Sequence, residues 1–265
     1  VVYDGDATST RKVANEKGDD VFYSKENGGK EDIGLLLSSG TEMTIEFVTD
    51  GENCYDGLDL QAIVFPQEIL DLAGNGTAES PFLIKDIKDL MTIDKYIQVT
   101  GDSKIYIKQV DNIDMDYENF TPIASSVKSF EGHYDGGGYE ILNMNMVSDP
   151  DQQGVLGLFR NVSGIVERLG IVNSTFNGET ADSLVGVFAG RLSGQGQLRN
   201  CYAKGNTIVN ESKGAAGALV GELVDTARIE SCYAYRNVGC DSVAGRRGAT
   251  ATQSLVFTDK ADFTA

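Results

Sequence analysis

Tryptophan is absent from this 265-residue chain, histidine occurs once, at His133, and proline only 4 times. A single histidine excludes two-histidine metal sites, the His-Glu-x-x-His arrangement of zinc metallopeptidases and histidine-rich zinc clusters. Without tryptophan, WD-type propeller blades lose their signature. Positive charge is also scarce, with 22 Lys and Arg against 40 Asp and Glu and a net charge of −18. That balance argues against a nucleic-acid partner, which needs a cationic surface, and against anionic lipid surfaces. It secures solubility and permits adventitious calcium, without implying a required cofactor. No apolar run reaches the roughly 18 residues of a membrane span, so membrane insertion within this chain is not expected. The start, Val1 to Asp6, lacks the charged and apolar regions of a signal peptide, as a trimmed mature chain also would. Four cysteines, at 54, 201, 232 and 240, are too few for a disulfide scaffold of this length.

Glycine is plentiful, with 31 residues, which supplies tight corners; 41% apolar residues supply a core. The texture changes near residue 70. Thr41 to Val48 alternates, with Met43, Ile45 and Phe47 on one face, and Leu58 to Phe65 follows an acidic turn. That pattern predicts an antiparallel sandwich region over residues 1–70. After a loop at Ala73 to Pro81, Ile87, Leu90, Met91 and Ile93 fall at helical spacing, predicting one helix near 85–97.

From Ile105 onward, short strands punctuated by Gly and Asn repeat. The stretches Leu198 to Asn206 and Ile229 to Asn237 both place Cys-Tyr-Ala in one register. Extending this register gives three columns: Ile141, Val166, Leu198, Ile229; then Met144, Leu169, Cys201, Cys232; then Met146, Ile171, Ala203, Ala234. A second element recurs at Gly154 to Val162, Ser183 to Leu192 and Gly217 to Val224. Columns of like residues with glycine corners predict a parallel β-helix over residues 71–265, in which each coil buries its apolar face on the next. In such a stack, parallel neighbours lie about 4.8 Å apart, wider at Cβ than a disulfide prefers. Cys201 and Cys232 share a column with Met144 and Leu169, so they read as buried free thiols. The stretch after Cys240 reads as a last coil, since a solenoid end needs cover.

The segments LVGVFAGRL and ALVGELV, each leading into a Cys-Tyr-Ala strand, resemble the GLUG motif, named for its Gly-Leu-x-Gly core. Upstream, GTAESPFLIKDIKDL, YIKQVDNIDM and FEGHYDGGGYEILNMNM resemble the run that precedes those repeats in large bacterial surface proteins. The resemblance covers about residues 74–238. It implies a right-handed parallel β-helix on an extracellular or cell-surface protein of adhesin type. VYDGD at Val2 to Asp6, SSGTEMTIEFVTD at Ser38 to Asp50 and GLDLQA at Gly57 to Ala62 resemble the second half of a CUB domain. That implies a small β-sandwich whose first strands would precede residue 1. Asp50 falls where some CUB domains hold calcium; the remaining acidic ligands are missing, so no complete site is implied.

Four outward residues form the candidate binding site. If Cys201 and Ala203 face inward, Tyr202 and Lys204 face outward, and so do Tyr233 and Tyr235 beside Cys232 and Ala234. Such an aromatic column suits a sugar ring or a protein partner, although cross-strand aromatic pairs also stabilise sheets on their own. His133 reads as an exposed turn residue. Asp111, Asp114 and Asp116 are the best acidic candidates for catalysis, with Asp114 and Asp116 on one side, away from Ile113 and Met115. The Asp135 to Gly138 run lacks the Lys-Ser/Thr of a phosphate cradle and reads as a corner. The expected function is a non-catalytic cell-surface adhesin whose β-helix face binds a host or bacterial glycan or surface protein. The alternatives are a carbohydrate-active β-helix enzyme, either polysaccharide lyase or glycoside hydrolase, and a structural spacer.

Overall fold

The computed structural model describes residues 2–4, 43–45, 67–147, 154–178, 182–210, 214–240, 242–254 and 257–258. The chain divides into two units, Val1–Val64 and Phe65–Ala265. In the first, Val2–Asp4 pairs antiparallel with Met43–Ile45. The Leu58 to Phe65 strand, Asp50, Cys54 and the rest of the expected sandwich lie outside the described residues.

The second unit is mostly strands arranged as a parallel β-solenoid, with a helix at Ile87–Thr100 ahead of it. The helix starts where Asp86 accepts the Asp89 N–H, and it stops where Gly101 turns left-handed and donates to the Ile97 carbonyl. It therefore runs 3 residues beyond the expected end at Ile97, because the terminating glycine lies at 101. Leu90, Ile93, Tyr96 and Ile97 are its buried face, and the Tyr96 ring meets Phe82 edge-on at 5.0 Å. Phe82 opens the first strand of the solenoid, so the helix packs over that end of the core.

The coils lend strands to a seven-stranded, a six-stranded, a four-stranded and two three-stranded sheets, and not every coil reaches every sheet. Tyr134, Val166, Leu198 and Ile229 stack in the seven-stranded sheet. In the six-stranded sheet Ile113, Ile141, Ile171, Ala203 and Ala234 stack. The expected columns thus hold for the coils of Val166, Leu198 and Ile229 and fail in the coil of Ile141, the first of the four aligned in the sequence. Ile141 lies on Ile171 rather than beside Val166, and Met146 lies on Phe176. The cause is the Gly136–Gly138 corner: seven residues separate Tyr134 from Ile141, against five between Val166 and Ile171. Gly137 and Gly138 absorb the extra length at φ 64° and 88°. The Asp135 to Gly138 run is a corner, as expected.

Cys201 and Cys232 are buried free thiols, and the Cys201 N–H points at the Cys232 sulfur at 3.4 Å. Burial pushes the Cys201 thiol well above its ordinary range. Two features with no clear sequence signal hold the coils together. The first is a buried ladder at the corner after the six-stranded sheet. There Ser174 Oγ accepts the Met144 N–H, Asn206 Oδ1 accepts the Ser174 N–H, and Asn237 Oδ1 accepts the Asn206 N–H. Asn206 and Asn237 also donate to the Ile171 and Ala203 carbonyls, so corner groups that no strand can pair are satisfied from the next coil.

The second feature is a grid of glycines where the chain doubles back between two sheets. Gly186 and Gly217 are register partners, and Gly190, Gly221 and Gly245 stand opposite. A Cβ at Gly186 would lie 2.3 Å from Gly221 N and 2.4 Å from Ala189 O. The recurring Gly-x-x-x-Gly texture is therefore a requirement for backbone-to-backbone contact between coils. At the far end, Thr252–Ser254 pairs with Arg228–Glu230, which makes a last coil. There Arg247 and Gln253 replace Leu223 and Ile229 in the inward columns, a polar end to the described stack.

Candidate functional site

The six-stranded sheet places the four expected residues together. Ala203 and Ala234 point into the core, and alternation turns Tyr202, Lys204, Tyr233 and Tyr235 outward. Tyr202 pairs with Tyr233 and Lys204 with Tyr235. The Tyr202 and Tyr233 rings are parallel within 2°, with centroids 5.0 Å apart. Tyr233 is 43% exposed, Lys204 is exposed, and the Arg236 guanidinium sits 5.1 Å from the Tyr235 ring centroid.

Two further residues define this face. Glu140, Gly170 and Tyr202 are consecutive in one column, and the Tyr202 hydroxyl donates to Glu140 Oε1 across Gly170. A Cβ at Gly170 would lie 2.4 Å from Tyr202 Cζ. The absent side chain lets the Tyr202 ring lean along the axis, with Tyr233 overlapping it. Glu140 and Gly170 are missing from the sequence-derived site because the slipped first coil puts them in different columns. Aligning Ile141 with Ile171 places them at once. Burial, then the hydrogen bond to Glu140 and its charge, push the Tyr202 phenol well above its usual range. The proton is thus held more tightly in the fold, and the associated stability, present below about pH 10, is lost at higher pH. Glu140→Gln is expected to lower the pH at which Tyr202 ionises, read as phenolate absorbance against a Tyr202→Phe reference.

A second cluster lies on the outer face of the seven-stranded sheet. His133 is not an exposed turn residue: it opens the strand His133–Asp135 half-buried, with Nε2 2.8 Å from Glu167 Oε1. The same carboxylate accepts from Arg199 Nε at 2.6 Å. Asp135, the register partner of Glu167, accepts from Arg168 Nε at 2.9 Å. Alternation with the inward Tyr134 keeps His133 on the outer face, where the flanking strands, Glu167 and the Tyr106 ring half-bury it. Burial works to raise the Glu167 carboxyl, but the hydrogen bonds and charges of Arg199 and His133 outweigh it and hold the group below the usual range. The stability this contributes is present above the ordinary glutamate value of about 4.3 and is lost as pH falls through the lower folded value. Glu167→Gln is expected to flatten the acid limb of a stability-versus-pH curve measured by urea denaturation.

The acidic candidates alternate as expected, with Ile113 and Met115 buried and Asp114 and Asp116 exposed. Asp114 Oδ1 accepts from Asn143 Nδ2 at 2.8 Å and from the Asp116 N–H at 3.0 Å, which lowers its pKa and ties it to a corner. Among the described residues, no group of three His, Cys, Asp or Glu is arranged to hold a metal ion. No helix among them is long and apolar enough to cross a membrane.

No protein-family profile matches the chain. A 167-residue stretch is 28% identical to part of halomucin from Haloquadratum walsbyi, covering 60% of this chain. The chain spans about 2% of the length of that curated relative. Among solved structures, a protein described as a candidate immunoglobulin A1 protease from Bacteroides ovatus is similar over 70% of this chain and 77% of its own, at 17% identity and a TM-score of 0.46.

Proposed function

We propose that this chain is a non-catalytic, adhesin-like segment of a bacterial cell-surface protein that presents the outer face of its six-stranded sheet to a glycan or protein partner. The observation that carries this reading is the parallel Tyr202–Tyr233 stack beside Lys204 and Tyr235. Aromatic side chains held on a ladder lose little freedom on binding, which favours them as anchors. The GLUG-like order of residues 74–238, a right-handed coil sense and a CUB-like start belong to the same reading.

One observation favours the carbohydrate-active enzyme as a second reading: Asp135 and Glu167 are adjacent carboxylates on one face. Against it, Arg168 and Arg199 each engage one of them, and Glu167 is shifted downward, whereas a general acid needs an upward shift. The proposal is tested on an array of glycans and matrix proteins with the wild-type chain and Tyr233→Ala. Binding to a discrete subset, weakened at least tenfold by Tyr233→Ala, is expected. Release of reducing sugar from a polysaccharide panel, abolished by Glu167→Gln, would instead establish the enzyme.

A further inference from the structure

Charge in this chain is distributed unevenly. From Leu198 to Ala265 there are eight Lys and Arg against seven Asp and Glu, a net of +1, so the first 197 residues carry −19. The stacked tyrosines belong to two successive coils in this near-neutral part. Lys204 lies outward beside Tyr235, and no carboxylate among the described residues forms an ion pair with it. Arg236 follows Tyr235 at the next corner with its guanidinium against that ring, and Arg228 is exposed on the adjacent sheet. The acidic residues of this sheet's outer face lie toward its other end: Asp114, which accepts from Asn143 Nδ2, and Glu140, engaged by the Tyr202 hydroxyl. Aromatic surface is thus combined with cations on one short stretch of an otherwise acidic molecule.

Resting on the binding role proposed above, we infer that the ligand is an anionic polysaccharide, carboxylated or sulfated, lying along the solenoid axis. A sugar ring packs against Tyr233, and acid groups meet Lys204 and Arg236. The coil repeat of about 4.8 Å is close to the length of one pyranose along an extended chain, so successive coils meet successive sugars. A polyanion would be repelled by the first coils and held by the last, which fixes where on the face it binds.

The test is calorimetric titration of the purified chain at physiological ionic strength with polygalacturonate, chondroitin sulfate and neutral dextran. Binding of one anionic probe, and not of dextran, is expected; the two anionic arms separate carboxylate from sulfate recognition. Lys204→Glu and Tyr233→Ala should each weaken it at least tenfold, while Arg247→Glu, on another sheet, changes it less than twofold. Dextran binding that depends on Tyr233 but not on Lys204 would overturn the inference while leaving the glycan-binding role intact. Anionic binding weakened equally by all three substitutions, or insensitive to Tyr233→Ala, would mean polyelectrolyte attraction and would also overturn it. Binding of none of the three probes would overturn it too, with the broader role then decided by the array.

Discussion

Replacing Asn206 by leucine is expected to destabilise the solenoid by about 3–5 kcal/mol, a large share of what holds a domain folded. The side chain is fully buried and satisfies three groups: the Ser174 N–H, the Ile171 carbonyl and Asn237 Oδ1. Leucine has similar bulk, so the loss is not one of volume. It leaves a backbone donor and a backbone acceptor buried without partners, at roughly 1–3 kcal/mol each. Asn237→Leu should behave alike, because it strands the Asn206 N–H and the Ala203 carbonyl. The midpoint and slope of urea unfolding give the number directly. A loss below about 1 kcal/mol for both would mean that the ladder contributes little.

Gly186→Ala is expected to cost more than about 3 kcal/mol or to prevent folding. The added Cβ would meet Gly221 N at 2.3 Å, Ala189 O at 2.4 Å and Val220 Cα at 2.4 Å. All three are backbone atoms in paired strands, so relief requires two coils to separate. Gly205→Ala is the matched control. Gly205 has φ 66°, and a Cβ added there would meet nothing within 4 Å, so only the left-handed penalty of about 1–2 kcal/mol applies. Thermal unfolding of the two variants should therefore differ sharply in midpoint.

The repeat is legible in the sequence because parallel stacking copies residue character from coil to coil. Leu198 over Ile229 and Ala203 over Ala234 are visible in the sequence and hold in the structure. The first coil misleads because ILNMNM looks like the later strands, while the longer Gly136–Gly138 corner shifts the frame. No local pattern distinguishes a corner of one length from another. His133 misleads for the same reason: the glycines that follow it suggest a turn, whereas its own strand pairs with both Tyr106 and Ile165. The asparagine ladder is hidden because Asn206 and Asn237 look like ordinary polar corner residues, and only the inward turn of the corner reveals their burial. Of the site, the four outward residues are readable by alternation. Glu140 and Gly170 are not, because they depend on the correct register across three coils.

In the recurring Cys-Tyr-Ala, cysteine and alanine are core rungs and tyrosine faces outward, where the proposed function assigns it to binding. A glycan and matrix-protein array probed with two double variants tests this division most directly. Cys201→Ala with Cys232→Ala should lower the unfolding midpoint yet keep the wild-type binding pattern, whereas Tyr202→Ala with Tyr233→Ala should abolish that pattern in a folded chain. An unchanged binding pattern in the tyrosine variant, or no binding by the wild-type chain, would contradict the assignment.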